Sequence, residues 1–158
     1  SFQAKMRPAD YKRWSGSLAE CVLAVLDASH MLSNNPIATR RLSVPGSLIA
    51  EGLPYPVTFQ AISLGLNLAF VAVSAEVVAE YAEHVRALSP TALTMCIGCT
   101  DHTYGYLPTR QMFAEGGYEV EEFCSFFGLT RLLPGIEDVT CASLASLFDD
   151  VDPLAVQC

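Results

Sequence analysis

From Val57 the chain carries two short apolar runs, Val57–Leu64 and Asn67–Val73, both rich in β-branched and aromatic residues. Gly65 stands between them, where a tight turn needs a residue tolerant of positive φ, and the pattern predicts a β-hairpin. The spacing then changes. Val77, Val78, Tyr81, Val85 and Leu88 recur as one helical face, predicting a helix over Ala75–Leu88 that ends at Ser89 and Pro90. Ala92–Gly98 predicts a further strand, so Phe70–Gly98 reads as a β–α–β unit whose two strands run parallel in one sheet. Upstream, Leu18, Val22, Val25, Leu26 and Met31 predict a helix over Ser17–Leu32, opened by a Ser17/Glu20 capping box and stopped by Asn34, Asn35 and Pro36. A short strand over Thr39–Val44 precedes Pro45 and Gly46. Downstream, TDHTYGYLPTRQMFAEGGYEVEEF predicts a long functional loop, since it is irregular yet too apolar for a disordered linker. A last helix over Val139–Phe148, capped by Asp138, precedes an acidic tail expected to fray. The expected fold class is α/β, with α+β as the alternative: a mixed sheet in which a hairpin leads into a β–α–β unit, with helices packed on it.

Composition narrows what such a fold could do. The chain has 158 residues, 51% of them hydrophobic, enough for one domain or a dependent piece of a larger one. A formal charge of −8 without a basic stripe argues against nucleic acid as a partner. The longest apolar stretches, around Leu18–Leu26 and Val57–Val73, are interrupted and fall short of the roughly 20 apolar residues of a spanning helix, so no transmembrane segment is expected. The opening residues lack the charged and apolar regions of a signal peptide. Six cysteines leave many pairings open. Cys96 and Cys99 form an isolated C-x-x-C, which in the apolar run LTMCIGC fits small core residues better than a redox pair or half a zinc knuckle.

In open α/β sheets ligands collect at the carboxyl ends of strands, and two such ends are adjacent in the expected unit. One delivers Ser74, Ala75 and Glu76, and the other Cys99 to Tyr106. A first-turn helix carboxylate has its charge favoured by the helix dipole, which leaves Glu76 either a cation ligand or an ordinary solvated carboxylate. Glu76, Glu80 and His84 recur every four residues, a spacing that can build a metal site. Glu80, Glu83 and His84 fall off the apolar face, however, and a solvated face explains them better. His30 suits a dipole-complementing position at a helix C-terminus, and His102 is set apart by its place in the long loop.

The stretch YPVTFQAISLGLNLAFVAVSAEVVAEYAEHV, with the loop GYLPTRQMF…YE, resembles the later catalytic domain of neutral, non-lysosomal ceramidases, as found in bacterial ceramidase-like proteins. The resemblance covers about Leu42 to Leu133. It implies a zinc amidohydrolase that cleaves the amide of N-acyl sphingoid lipids through a zinc-activated water. In that family one zinc is held by two histidines from earlier in the chain, a glutamate and a tyrosine. The glutamate falls on Glu76. The tyrosine falls on Tyr106, with Tyr104 as its rival, and a second tyrosine, which supports the developing oxyanion, falls on Tyr118. Ser74-Ala75 stands where the family often has Pro-Gly. His30, His84 and His102 do not occupy the histidine positions, so the resemblance implies an upstream polypeptide or second subunit supplying those ligands, and a chain inactive alone. The alternative is a non-catalytic binding or interaction domain that keeps the fold. A piece of a larger domain would also expose apolar surface, which leads to the expectation of self-association.

Overall fold

A computed structural model describes residues 7–29 and 36–149. His30, the stop at Asn34 and Asn35, and the acidic tail beyond Asp149 therefore lie outside the described residues. The chain divides into two compact units, Ser1–Asn34 and Asn35–Cys158.

In the first unit, α1 spans Pro8–Asp27. It begins nine residues before the expected start, because Pro8 occupies the first helical turn, where its missing N–H leaves no bond unmade. Ser17 and Glu20 therefore sit inside the helix and form no capping box. None of its residues is buried, and the apolar stripe Tyr11, Trp14, Leu18, Val22 and Val25 is open to solvent.

The second unit is built on a four-stranded mixed sheet in the order β1-β3-β4-β6. Strand β1 spans Ile37–Val44, and the short β2, Ala50–Glu51, follows a 3₁₀ turn at Gly46–Leu48. Next come β3, Val57–Leu64, and β4, Leu68–Val73, the hairpin read from the sequence; Gly65 turns it with φ +58°. Strand β4 leads through β5, Glu76–Val77, into α2, Ala79–Leu88, and on to β6, Leu93–Ile97, which runs parallel to β4. The hairpin and the β–α–β unit thus match the sequence reading, and the fold class is mixed α/β.

Helix α2 is shorter than expected. Glu76 and Val77 pair in parallel with β7, Tyr106–Leu107, and this bond to a segment some thirty residues away holds them extended. The helix opens only after Val78, keeps Tyr81 and Val85 as its buried stripe, and stops where Pro90 forces Ser89 into extended geometry. Glu76 is consequently in no helical turn, and neither the dipole argument nor the Glu76/Glu80/His84 helix face survives.

The long loop is only partly irregular. It contains β7, the six-residue α3 at Arg110–Glu115 and a 3₁₀ segment at Glu122–Phe127. Strand β8, Arg131–Leu132, pairs with β2, and α4 spans Ile136–Ser146. Asp138 lies within the first turn of α4 and does not cap it; Gly135 holds the N-cap position. The core lies between one face of the sheet and the helices α2 and α4: Phe59, Val71 and Val73 from the strands, Tyr81 and Val85 from α2, Ile136 and Leu144 from α4. Burying each such side chain contributes roughly 1.5–3 kcal/mol.

Candidate functional site

The segment after β6 is held to the end of β4 by backbone bonds. The N–H of Cys99 donates to the Ala75 carbonyl at 2.9 Å and that of Thr100 to Val73 at 3.1 Å. Gly98 is needed at this crossing, since a Cβ there would stand 3.0 Å from the Ala75 carbonyl oxygen and 3.2 Å from the Val77 nitrogen. Cys99 and Asp101 then adopt left-handed backbone at φ 57° and 56°, conformations that non-glycine residues seldom hold outside constrained sites. Four positions beyond Asp101 the chain returns to the same strand end. The N–H of Glu76 donates to the Gly105 carbonyl at 2.8 Å, and Glu76 and Tyr106 stand opposite each other in parallel register.

Every residue of Gly105-Tyr106-Leu107-Pro108-Thr109-Arg110 has a structural task. Gly105, at φ +98°, lies against the ring of Phe123, and a Cβ would come within 2.1 Å of it. The Tyr106 ring meets Phe123 edge-on at 5.3 Å between centroids and Tyr118 at 5.8 Å. Leu107 is buried in the core. The Pro108 carbonyl accepts a 3.1 Å bond from the Tyr81 hydroxyl, which ties the loop to α2. Thr109 caps α3 through the Met112 N–H. The Arg110 N–H donates to Glu137 at 2.7 Å, and its guanidinium forks onto both oxygens of Asp138. Asp138, expected as a helix cap, is thus the far anchor of this loop.

The structure therefore brings Glu76, Tyr106 and Tyr118 together. The Glu76 carboxylate accepts from the Tyr106 phenol and holds its proton, and partial burial and the negative charge of Glu76 add to this, so the phenol is pushed up to about 12. Burial also pushes the Tyr81 hydroxyl well above the usual tyrosine value. Tyr118 is half exposed, and its ring stands nearly perpendicular to that of Tyr106.

Tyr104, the rival to Tyr106, belongs to a different neighbourhood. It stacks on Tyr55 at 5.5 Å and 13°, with His102 tilted at 5.9 Å. These rings, with Ser74 and the Arg41–Asp101 ion pair at 2.8 Å, line an open cleft of ≈ 390 Å³. Glu80 and Glu83 are exposed as expected, whereas His84 is half-buried and its Nε2 has no hydrogen-bond partner among the described residues. Cys21, Cys96, Cys99, Cys124 and Cys141 are free thiols. Burial pushes the Cys96 thiol up, which disfavours the thiolate that redox or metal chemistry requires.

Among the described residues no three His, Cys, Asp or Glu side chains gather into a metal-binding group. Glu76 and Tyr106 are two adjacent oxygen donors. A carboxylate can ligate zinc, but oxygen donors do not single zinc out, and a catalytic zinc normally takes three protein ligands and a water, so these two alone would not complete such a site. Nor is any described helix long and apolar enough to cross a membrane.

No family model matches the sequence, and no curated protein matches it. The fold is similar to the crystal structure of neutral ceramidase from Pseudomonas aeruginosa, with a TM-score of 0.52 over 71% of this chain at 13% sequence identity. The chain spans 28% of that protein's length. The fold is thus ceramidase-like.

Proposed function

We propose that this chain forms part of a zinc amidohydrolase that cleaves the amide bond of N-acyl sphingoid lipids, with Glu76 and Tyr106 as two of the metal's ligands. The observation that carries the reading is the pairing of Glu76 with Tyr106 at adjoining strand ends, with Tyr118 at its edge, in a ceramidase-like fold. Bound zinc would supply a water acidic enough to attack an amide carbonyl at neutral pH. Tyr106 would surrender its proton on ligation, since a dication reverses the preference that Glu76 alone imposes. Tyr118 would present its hydroxyl to the carbonyl oxygen as charge develops there. The histidine ligands would come from polypeptide outside these residues, either upstream in a longer chain or in a second subunit.

A non-catalytic domain of the same fold is the second reading, favoured by the lack of a three-residue metal group among the described residues. Zinc analysis and hydrolysis of a fluorescent N-acyl sphingosine separate the two. The chain alone should hold little zinc after dialysis and release no fatty acid. Joined to the histidine-bearing polypeptide it should hold one zinc and cleave, and Glu76→Gln or Tyr106→Phe should remove both properties. Joined protein that binds no zinc would refute the hydrolase reading.

A further inference from the structure

The cleft beside Tyr104 takes no part in the proposed zinc chemistry, yet its walls are firmly built. Its volume of ≈ 390 Å³ falls in the range of roughly 300–1,000 Å³ that small-molecule sites occupy. On its buried side Ser74 and Thr58 are tied by two bonds: the Ser74 N–H donates to the Thr58 carbonyl at 3.0 Å, and the Thr58 N–H donates to the Ser74 hydroxyl at 2.8 Å. Ser74 is 1% exposed, and among the described residues its hydroxyl accepts this bond and donates none, which leaves a buried donor for a ligand. A second wall is aromatic. The Tyr55 and Tyr104 rings lie 13° from parallel with centroids 5.5 Å apart, an offset stack that presents ring surface in one orientation. The third element is the Arg41–Asp101 pair, joined by one bond of 2.8 Å. Most of the guanidinium donors and one carboxylate oxygen therefore have no partner among the described residues.

We propose that this cleft binds a pyranose sugar ring. Such a ring carries polarised C–H groups on one face, which lie well against the negative face of an aromatic ring, and hydroxyls at its edge, each both donor and acceptor. The tyrosine wall meets the face. Neighbouring hydroxyls can donate to the free Asp101 oxygen and accept from Arg41, both charge-assisted bonds, while another accepts from Ser74. Other ligand classes fit less well. An anion is disfavoured because Asp101 already answers the charge of Arg41, in a chain of formal charge −8. A nucleotide base would stack, but its phosphate meets the same adverse charge. A quaternary ammonium is held best inside an aromatic cage, whereas Tyr55 and His102 both lie within 35° of the Tyr104 plane and enclose nothing. The ring could be a free sugar or the headgroup of a glycolipid. The cleft shares both strand ends with the candidate site, since Ser74 stands two residues before Glu76 and Tyr104 two before Tyr106. Only the headgroup source rests on the proposed hydrolase reading; binding of the ring does not.

The test is saturation-transfer NMR and calorimetry on the full chain with methyl β-glucoside and methyl β-galactoside, and with adenosine and phosphocholine as ligands of other chemistry. At least one glycoside should bind with an affinity on the order of 1 mM, as a ligand of this size allows, with saturation strongest on the C–H protons of one ring face. Tyr55→Ala and Asp101→Asn should each weaken that binding roughly tenfold, through loss of a stacking surface and of a charge-assisted bond. Asparagine tolerates the left-handed backbone held at Asp101, so an unchanged circular dichroism spectrum is expected of that variant. Glu83→Lys, on the exposed surface of α2, should leave the affinity unchanged. N-acyl glucosylsphingosine and N-acyl sphingosine of the same short acyl chain then decide the source. A glucosyl lipid bound better than both the bare lipid and methyl β-glucoside identifies a headgroup, and one bound no better than methyl β-glucoside identifies a free sugar. No binding of any sugar-bearing ligand, binding of adenosine or phosphocholine alone, or full affinity in both cleft variants would overturn the sugar site. Glycoside binding by a protein that holds no zinc even when joined to the histidine-bearing polypeptide would uphold the sugar site and refute the hydrolase reading.

Discussion

Tyr104 and Tyr106 are separated by one glycine and experience different chemistry. Tyr104 lies against an exposed tyrosine in an open cleft, where the nearest charges, Arg41 and Asp101, neutralise each other in water. Tyr106 meets the rings of Tyr118 and Phe123 at steep angles, and its proton is favoured by the neighbouring carboxylate of Glu76. Two phenols of one loop thus differ in what holds them: shape and solvent for one, a rigid aromatic wall and a single anion for the other. The wall is what makes the second position specific, and the sharpest tests act on it.

The largest effect should come from removing the wall. Phe123→Ala empties a fully buried ring position beside Gly105 and should cost about 4 kcal/mol, lowering the melting temperature by roughly 10–15 °C. Gly105→Ala attacks the same contact from the other side. Its methyl meets a ring that cannot retreat, at a φ that disfavours any side chain, and should cost roughly 2–4 kcal/mol. In the Tyr104 neighbourhood, exposed Tyr55→Ala should cost less than about 1 kcal/mol. Comparable melting temperatures for Tyr55→Ala and Phe123→Ala would erase the contrast.

Next in size is the tether. Tyr81→Phe leaves the Pro108 carbonyl without its 3.1 Å donor inside the core, a loss of about 1–2 kcal/mol by chemical denaturation. An unchanged denaturation midpoint would show that the tether does not hold the loop.

How much of this could be read along the chain depended on the range of the forces involved. The hairpin at β3 and β4 was legible because its alternation and Gly65 are local, and the β–α–β unit because Pro90 and the change of period mark α2 on both sides. Glu76 could be singled out from its place at a strand end, whereas Tyr106 and Tyr118 could be named as candidates only through a resemblance; the structure sets the three candidate residues side by side. Their setting was not legible. Glu76 lies in a strand because of β7, a partner that no local period reveals. The roles of Phe123 and Asp138 depend on contacts with Gly105 and Arg110 from distant parts of the chain. The start of α1 was missed for the opposite reason: a local signal at Ser17 and Glu20 resembled a cap, while Pro8 had already begun the helix.

A spectroscopic test sharpens the comparison of the two phenols. Tyr106 should ionise only near pH 12, and Glu76→Gln, which removes the anion but keeps the size, should bring it back toward the ordinary value of about 10. The difference spectrum of the Tyr106→Phe variant in an alkaline titration isolates this transition. Because the folded-state value is raised, the stabilisation linked to the Tyr106 proton is fully present below pH 10 and is lost as pH climbs through about 12. An alkaline transition at the same pH in Glu76→Gln would remove Glu76 as its cause.

The smallest effect belongs to the cleft. Arg41 and Asp101 pair at 2.8 Å but both remain about half exposed, so Arg41→Ala should change stability by no more than about 1 kcal/mol, and less in high salt. A larger loss that salt does not reduce would mean that the Tyr104 neighbourhood is held as firmly as the Tyr106 one.

Trp14 is the chain's single tryptophan, and it sits on the solvent-facing stripe of α1 in the first unit, whereas five of the six tyrosines lie in the second. Optical signals are therefore partitioned by unit. Emission excited at the red edge reports the helix alone and can remain flat while the sheet melts, and a fluorescence thermogram of this protein would follow the part that contains none of its candidate chemistry.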